Sequence, residues 1–157
     1  MTPTISIQRQ DFDLATEAAA LTSGRSDIGA VAAFVGLCRD EGGRLRALEL
    51  EHYPGMADVE IGRVAEEATQ RWPLLGLTVI HRYGLIKPGE QIVLVAAASG
   101  HRAAAFAGAE FLMDYLKARA PFWKREHLAD GTLGAWVDAQ AADDRAAERW
   151  ASGDGAG

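Results

Sequence analysis

Residues 91–119 read QIVLVAAASGHRAAAFAGAEFLMDYLKAR, and this stretch decides the fold that the sequence predicts. Gln91–Ala96 is a short apolar run rich in β-branched residues, which is typical of a strand. A helix is predicted over Ala103–Arg119, because its apolar residues recur at helical spacing and Pro121 ends it. The stripe that we expect to face the core consists of Ala105, Ala109, Leu112 and Leu116.

Further strands and helices are predicted upstream of this stretch. Alternating or continuous apolar patterns predict strands at Thr4–Ile7, Val31–Cys38, Leu45–His52 and Leu77–His81. Two more helices are predicted, at Leu14–Leu21 with Asp13 as N-cap and at Ala57–Trp72. We expect Val31–Cys38 to be a buried strand that forms a hairpin with Leu45–His52 through a turn at Asp40–Gly43.

A mixture of hairpins and helices indicates an α+β fold, with an antiparallel or mixed sheet on which the helices pack. A type II turn at Lys87–Glu90 is expected to lead into the strand Gln91–Ala96 from Leu77–His81. Gly131–Val137 is expected to add a short edge strand, and Ala141–Trp150 a last helix. We expect residues 1–150 to form a single domain and 151–157 to be a disordered tail.

The bulk composition excludes several classes of protein. The chain has 157 residues, 48% of them hydrophobic, which is enough for one domain with its own core. No apolar run approaches the roughly 20 residues that span a bilayer, and no secretory signal is recognisable, so we expect a cytoplasmic protein. The one cysteine, Cys38, permits no internal disulfide, and no Cys/His spacing suggests a metal site. A net charge of −6 argues against general nucleic-acid binding.

Ser99–Arg102 is the densest candidate site, because it lies where a predicted strand gives way to a helix. Free N–H groups and the helix dipole favour an anion such as phosphate there, and His101 and Arg102 would strengthen the site. Ser99–Glu126 carries five Lys/Arg and three acidic residues, a charge of +2, which suggests a small anionic ligand. The alternative at this stage is that Ser99 caps the helix and the two basic side chains are merely solvated.

Lys117, with Lys124 after the break at Pro121, is a second candidate. The face that Lys117 shares next to the core stripe also carries Phe106, Glu110 and Met113. We expect this face to border a pocket, where lost hydration would favour the neutral amine as a nucleophile or proton donor. On spacing alone, a lysine that only interacts with the helix C-terminus is the more common outcome.

Arg39 and Cys38 end the apolar strand beside a glycine-rich turn. A charge at that position commonly lines a cleft, and as commonly is the first exposed residue. For a lone cysteine at the end of an apolar strand, a small buried hydrophobe is the default interpretation, and a catalytic thiol is the rarer one.

Seven blocks of sequence stand out when they are taken together and in order: FVGLCR (34–39), LELEHYPGM (48–56), HRYG (81–84), PGE (88–90), SGHR with AF (99–102 and 105–106), DYLK (114–117) and APFWKRE (120–126). In this combination the sequence resembles the large subunits of molybdopterin synthase. The resemblance extends from about residue 5 to Trp150, and residues 121–126 are its most specific block.

This resemblance implies an α+β fold of the α/β-hammerhead type and a homodimer that binds two small ubiquitin-like subunits, giving a heterotetramer. Each small subunit would carry sulfur as a thiocarboxylate on a C-terminal Gly-Gly. The implied reaction transfers that sulfur twice to cyclic pyranopterin monophosphate, opening the cyclic phosphate and forming the dithiolene of molybdopterin in molybdenum cofactor biosynthesis. No metal or other cofactor is implied, because the sulfur arrives already activated.

The site residues that the resemblance implies are mostly cationic, as two anionic reactants require. Lys117 would polarise or attack the reacting centre, and Lys124 would donate a proton or stabilise an oxyanion. Arg39 and Arg102 would clamp phosphate oxygens. The full implied substrate-binding set is Leu37, Cys38, Arg39, His101, Arg102, Lys117, Lys124, Arg125 and Glu126.

Arg102 and Lys117 are fifteen residues apart on one predicted helix, roughly 22 Å at about 1.5 Å per residue. One small pterin cannot easily touch both ends, so we predict a site shared between two protomers. Lys117 and Lys124 would come from one protomer, and His101 and Arg102 from the other. Two other functions stay open: a non-catalytic adaptor for a ubiquitin-like partner, and another phosphate-ligand enzyme such as an acyltransferase.

Overall fold

Two sheets and three helices make up the described part of this protein. The computed structural model describes residues 1–119 and 121–137 together with Trp150. The strands are β1 (Thr4–Gln8), β2 (Ala30–Leu37), β3 (Leu45–His52), β4 (Leu74–Arg82), β5 (Gly84–Ile86), β6 (Gln91–Ser99) and β7 (Phe122–Leu128). The helices are α1 (Leu14–Thr22), α2 (Met56–Arg71) and α3 (Arg102–Arg119). The predicted α+β class is confirmed.

The first sheet has four strands in the order β1-β4-β6-β2. β1 runs parallel to β4, and the other neighbours are antiparallel, so the sheet is mixed. One face packs against α2 and α3, where the predicted stripe of α3 is buried as expected. The other face is covered by α1, with Phe12 and Leu21 against Ile80 and Leu94. Because both faces are covered, residues 93–99 of the central strand β6 are all buried.

The second sheet has three antiparallel strands in the order β5-β3-β7. Its small core consists of Cys38, Leu45, Leu50 and Ile86. Leu50 lies opposite Lys124 in the pairing of β3 with β7, and His52 lies opposite Phe122. Directly opposed residues of an antiparallel pair point to the same face, so Phe122 and Lys124 share the inner face of this sheet.

The predicted hairpin between Val31–Cys38 and Leu45–His52 is wrong. β2 pairs with β6 in the first sheet, whereas β3 pairs with β5 and β7 in the second. The reason lies in the connection: residues 41–43 all have positive φ, between 55° and 86°, which turns the chain out of the first sheet. Both the N–H and the C=O of Cys38 also bond to the turn at residues 89–90, not to β3.

The expectation that Val31–Cys38 is fully buried is also wrong. β2 is the edge strand of its sheet, and Val31, Phe34 and Leu37 are 38%, 42% and 56% exposed. A continuous apolar run predicts burial on both faces, but here the edge position leaves part of the strand open. Cys38 itself, one residue beyond β2, is buried at 3% exposure.

Several smaller predictions need correction. The turn at Lys87–Glu90 is present, with Gly89 at φ 88°, but it joins β5 to β6, because the short strand β5 was not predicted. Gly131–Val137 forms two isolated bridges, at Leu133 and Val137, instead of an edge strand. The predicted helix 141–150, apart from Trp150, and the predicted tail 151–157 lie outside the described residues.

The beginning of α1 and the packing of Trp150 follow simple rules. Asp13 caps α1 as predicted, because its carboxylate accepts a hydrogen bond from the Thr16 N–H at 2.8 Å. Trp150 is 2% exposed and packs edge-on against Trp72 and Phe111 in the main core, with its indole N–H donated to Asp114. None of the described helices combines the length and apolarity that crossing a membrane requires.

Candidate active site

Helix α3 separates two groups of the predicted site residues. It begins at Arg102 and ends at Arg119, so Arg102 and Lys117 lie at opposite ends, roughly 22 Å apart along one helix. His101 and Arg102 are both exposed at the first end. Within one chain, the structure therefore does not bring Arg102 and Lys117 to a common small ligand.

The start of α3 is held by a close backbone approach. The Gly29 N–H donates to the Ser99 carbonyl at 2.9 Å, and a Cβ on Gly29 would overlap the carbonyl oxygen of Gly100. Ser99 is buried, and its hydroxyl donates to the Pro73 carbonyl at 2.9 Å, so its side chain holds the strand end in place. The Ser99 hydroxyl is therefore bonded to Pro73 and not to the first turn of α3, and His101 next to it in the chain is exposed.

Lys117 is exposed on the last turn of α3, one residue after Leu116, and Phe122 packs against the core cluster that contains Leu116. The His81 ring stacks on Phe122, with centroids 3.8 Å apart and planes 15° from parallel. His52 lies next to the same group, 6.1 Å from Phe122 and 4.5 Å from Tyr83 between ring centroids. No role was assigned to these two histidines from the sequence; the signals that could have found them are HRYG for His81 and LELEHYPGM for His52, two of the blocks that resemble the family.

Burial holds the pKa of His81 down to about 4, and the positive charge of Lys117 contributes to this shift. His81 is 9% exposed, and an imidazolium in that position would lose its hydration. His81 is therefore neutral at physiological pH.

Lys124 lies on the inner face of β7, two residues after Phe122. Its backbone N–H and C=O both bond to Val137, at 2.9 and 2.8 Å, which fixes the strand at this point. Phe122 thus connects the elements that carry the two lysines, because it lies two residues before Lys124 and packs against the core cluster that contains Leu116, next to Lys117.

Arg39 borders an open cleft of about 490 Å³ that is lined by Arg39, Glu41, Gly42 and Arg44. The Arg44 guanidinium hydrogen-bonds Glu41 and lowers the pKa of that carboxyl, with smaller contributions from the charges of Arg39 and Lys124. Arg39 and Lys124 are therefore both close to Glu41. Arg44 also bonds Glu126 at 2.7 Å, so Glu126 is held by an ion pair that the sequence did not reveal.

Arg125 belongs to a different face of the second sheet. It donates to Glu49 at 2.8 Å and lies over the Trp136 ring at 4.5 Å. Glu49 also contacts His127 at 2.9 Å, and His127 followed by Arg125 lowers the pKa of the Glu49 carboxyl. Because side chains alternate along a strand, Arg125 points away from the face that carries Lys124. The structure thus separates Arg125 from the two lysines.

Leu37 and Cys38 differ in their exposure to solvent. Leu37 is 56% exposed at the end of β2, whereas Cys38 is buried among the residues of the second sheet's core. Burial raises the pKa of the Cys38 thiol, which keeps it protonated and poorly nucleophilic. No group of three or more metal-ligating side chains is present among the described residues.

The arrangement forms two cationic regions. The first consists of Lys117 on the last turn of α3, Lys124 on β7 and Arg39 at the cleft beside Glu41, and the second consists of His101 and Arg102 at the start of α3. Ammonium and guanidinium groups of the first region can neutralise anionic ligands and donate hydrogen bonds to their oxygens.

Comparison with known proteins agrees with the sequence blocks. A family model described as MoaE protein matches residues 7–119. The chain is 68% identical over 152 residues to the molybdopterin synthase catalytic subunit of Mesorhizobium japonicum, covering 97% of this chain and 96% of that protein. It is 63% identical over 146 residues to the protein of that name from Brucella melitensis, covering 93% and 90%.

A solved structure gives the same result. The molybdopterin biosynthesis MoaE protein from Burkholderia ambifaria superimposes with a TM-score of 0.82 at 49% identity, covering 95% of this chain and 98% of that one. The resemblance seen in the sequence blocks is confirmed. The chain therefore belongs to the MoaE family, the family of molybdopterin synthase catalytic subunits.

Proposed function

We propose that this protein transfers sulfur from the C-terminal thiocarboxylate of a small ubiquitin-like subunit to cyclic pyranopterin monophosphate, forming the molybdopterin dithiolene in the cytoplasm. The observation that carries the proposal is the position of Phe122, which lies two residues before Lys124 on β7 and packs against the core cluster that contains Leu116, next to Lys117. Family membership supports the chemistry, because the relatives that cover nearly the whole chain are catalytic subunits of molybdopterin synthase by name.

Charge explains why the reaction needs this region. A phosphorylated pterin and a thiocarboxylate are both anions, so their approach requires cations that lower the repulsion between them. Arg39 binds phosphate oxygens, since a planar guanidinium presents paired donors. Lys117 attacks or polarises the reacting centre, and Lys124 donates a proton or stabilises the oxyanion that develops. The sulfur arrives activated on the partner, so Cys38 has no part in the transfer.

The active unit in this proposal is a homodimer that binds two small subunits. The length of α3 supports it, because His101 and Arg102 can complete the lysine region only from a second protomer. The exposed apolar side chains of the edge strand β2, Phe34 and Leu37 among them, give a surface on which chains can associate. His101 and Arg102 then bind the phosphate of a pterin held at the partner's lysines.

Reconstitution tests the activity directly. The purified protein, the thiocarboxylated small subunit and cyclic pyranopterin monophosphate are mixed, and molybdopterin is measured for wild type, Lys117→Ala and Lys87→Ala. We expect product from wild type and a loss of at least roughly 100-fold for Lys117→Ala. Lys87 is a matched control, because it is an exposed lysine in the turn before β6. A folded wild type that binds the small subunit but makes no product would support a non-catalytic adaptor.

Mixed dimers test whether the site is shared. Lys117→Ala chains are combined with Arg102→Ala chains, each inactive alone, and the mixture is assayed after subunit exchange. A shared site predicts partial recovery, because one of the two sites in a mixed dimer has both residues intact. If no activity returns although mixed dimers form, the site lies within one chain.

A further inference from the structure

His81 is a buried histidine at the junction of the two sheets. It lies near the end of β4, in the first sheet, and its ring stacks at 3.8 Å on Phe122, the first residue of β7 in the second sheet. The stack is almost parallel, at 15° between planes. It therefore connects the sheet that supports α3 with the strand that carries Lys124.

The hydrogen bond of His81 fixes its tautomer. Nδ1 lies 2.9 Å from the Arg82 carbonyl oxygen, and a carbonyl only accepts, so Nδ1 carries the hydrogen. The charged or titratable groups that influence the ring from the neighbouring elements are Lys117 on α3 and His52 on β3. Both oppose a second proton on the ring, as does burial. The ring is thus a flat, uncharged surface next to a lysine.

We propose that His81 is a positioning residue: its ring, stacked on Phe122, sets the spacing of Lys117 and Lys124. This inference rests on the proposed function, in which both lysines act on one substrate. Phe122 transmits the constraint, because it shares the inner face of β7 with Lys124, two residues away. Lys117 stands next to Leu116 in the last turn of α3, and Leu116 lies in the core cluster against which Phe122 packs.

The neutral state matters as much as the stack. An imidazolium at this position would be repelled by the positive charge of Lys117, which together with burial lowers the pKa of His81. A phenylalanine can replace the ring in shape and charge, whereas an asparagine can replace only the Nδ1–H donor. These two substitutions separate the stack from the hydrogen bond.

NMR tests the pairing without any activity assay. The chain has four histidines (His52, His81, His101 and His127), so their titrations can be resolved by labelling and assigned with single substitutions. We expect the His81 ring to carry its hydrogen on Nδ1 and to titrate near the value of about 4. Lys117→Met should move that midpoint upward, and Lys87→Met should leave it in place. A His81 midpoint that ignores Lys117→Met would overturn the proposal.

Kinetics of two His81 variants test the positioning role in the reconstituted enzyme. His81→Phe should keep kcat within about threefold, whereas His81→Asn should lower kcat roughly 10- to 100-fold with little change in KM, as a small misplacement of reacting groups does. A folded but inactive His81→Phe would show that the imidazole itself is needed, and a fully active His81→Asn would show that the stack is not. Either result overturns the proposal.

Phe122→Leu covers the case in which His81→Asn does not fold. It keeps an apolar side chain on β7 but removes the stack, so the same loss of kcat is expected, and an unchanged kcat counts against the proposal. Failure of the proposed function can be distinguished from failure of the positioning role. If wild type is inactive in the reconstituted assay, the shift of the His81 titration midpoint by Lys117→Met should still be observed by NMR. Absence of that shift in an active wild type removes the positioning role alone.

Discussion

The two sheets of this protein differ in what their faces carry. In the four-stranded sheet, helices cover both faces, and the central strand β6 is buried from Val93 to Ser99. In the three-stranded sheet, β3 and β7 carry charged side chains, with Glu49 bonded to Arg125 and Arg44 bonded to Glu126. Both faces of the first sheet are covered mainly by apolar side chains, whereas the second sheet has a core of only four buried residues and carries charged side chains.

This difference separates stability from chemistry. Buried apolar area supplies most of the free energy of folding, so the four-stranded sheet with α2 and α3 should hold the protein together. Cations keep their charge only where water or a carboxylate compensates them, so a half-exposed sheet is the place where lysines and arginines can stay ready for anions. Substitutions in the two regions should therefore change different measured quantities.

The largest effect on stability is expected from Phe111→Ala in α3. Phe111 is fully buried, with Trp72 and Trp150 rings at 5.3 and 5.6 Å. Removing the ring leaves a cavity and should lower the free energy of unfolding by about 3–5 kcal/mol, measured by urea denaturation. Leu85→Ala, at an exposed position of β5, should change it by less than about 0.5 kcal/mol. Equal losses at the two positions would end the division of roles between the sheets.

Gly29→Ala should have the next largest effect, at the beginning of α3. The new Cβ would overlap the Gly100 carbonyl oxygen, so the backbone must move, at a loss of about 1–3 kcal/mol. The shift displaces His101 and Arg102 and should weaken substrate binding as well. Both losses can be followed by thermal unfolding and by KM for the pterin.

Gly62→Ala is the matched control for this substitution. Gly62 lies inside α2, where a Cβ would meet Ile5 at an ordinary 3.7 Å. Alanine in a helix interior is favoured over glycine, so a gain of roughly 0.5–1 kcal/mol is expected. A loss at Gly62 comparable to that at Gly29 would show that the Gly100 contact is not the cause.

Glu49→Gln tests the ion cluster of the second sheet through its pH dependence. Glu49 and Arg125 are about a quarter exposed, so solvent screening limits the expected loss to about 1 kcal/mol near neutral pH. The pKa of Glu49 is lowered in the folded protein, so its stabilisation is complete above the ordinary value of 4.5 and disappears as pH falls through the folded value. Unfolding of wild type and variant should therefore converge in acid.

Glu51→Gln serves as the comparison for Glu49, because Glu51 lies two residues on along β3. It removes the same charge but leaves the Glu49 bonds to Arg125 and His127 in place. Its unfolding free energy should differ little from that of wild type at every pH. A difference in unfolding free energy between wild type and Glu49→Gln that stays the same in acid would contradict the role given to the Glu49 carboxylate.

The sequence predicts the first sheet better than the second for a physical reason. Long apolar runs and helical spacing mark β6 and α3, and their predicted positions agree with the structure to within a few residues. β7 has the sequence FWKREHL, which shows no alternation of apolar and polar residues that would predict a strand. Its pairing with β3 is stabilised partly by an ion pair between Arg125 and Glu49, which such a pattern does not reveal. The wrong hairpin had a similar origin, because only backbone angles at residues 41–43 distinguish it.

The candidate site could be predicted in its residue types but not in its grouping. Lys117, Lys124 and Arg39 stand in blocks that resemble one family, and Phe122 connects the end of α3 with the strand that carries Lys124. Sequence alone could not show that Arg125 faces away from Lys124 or that Glu126 is bound by Arg44. Such partners are fixed by the register of β3 on β7, which depends on tertiary packing.

Arg44→Gln should have the smallest effect on stability and a visible effect on binding. Its ion pairs with Glu41 and Glu126 are exposed, with half of the Arg44 side chain open to solvent, so the thermal midpoint should not change measurably. Without Arg44, the two carboxylates are free to pair with Arg39 and Lys124 in place of the substrate. We expect KM for the pterin to rise roughly threefold to tenfold with kcat nearly unchanged.

Arg46→Gln is the control, because it removes one positive charge two residues further along the chain, at an exposed position of β3. If the local release of Glu41 and Glu126 raises KM, Arg46→Gln should leave KM near the wild-type value. An equal rise in both variants would mean that the overall charge of the second sheet attracts the substrate. In that case, the effect of Arg44→Gln should also fade with added salt, whereas competition by two neighbouring carboxylates is screened much less at contact distance.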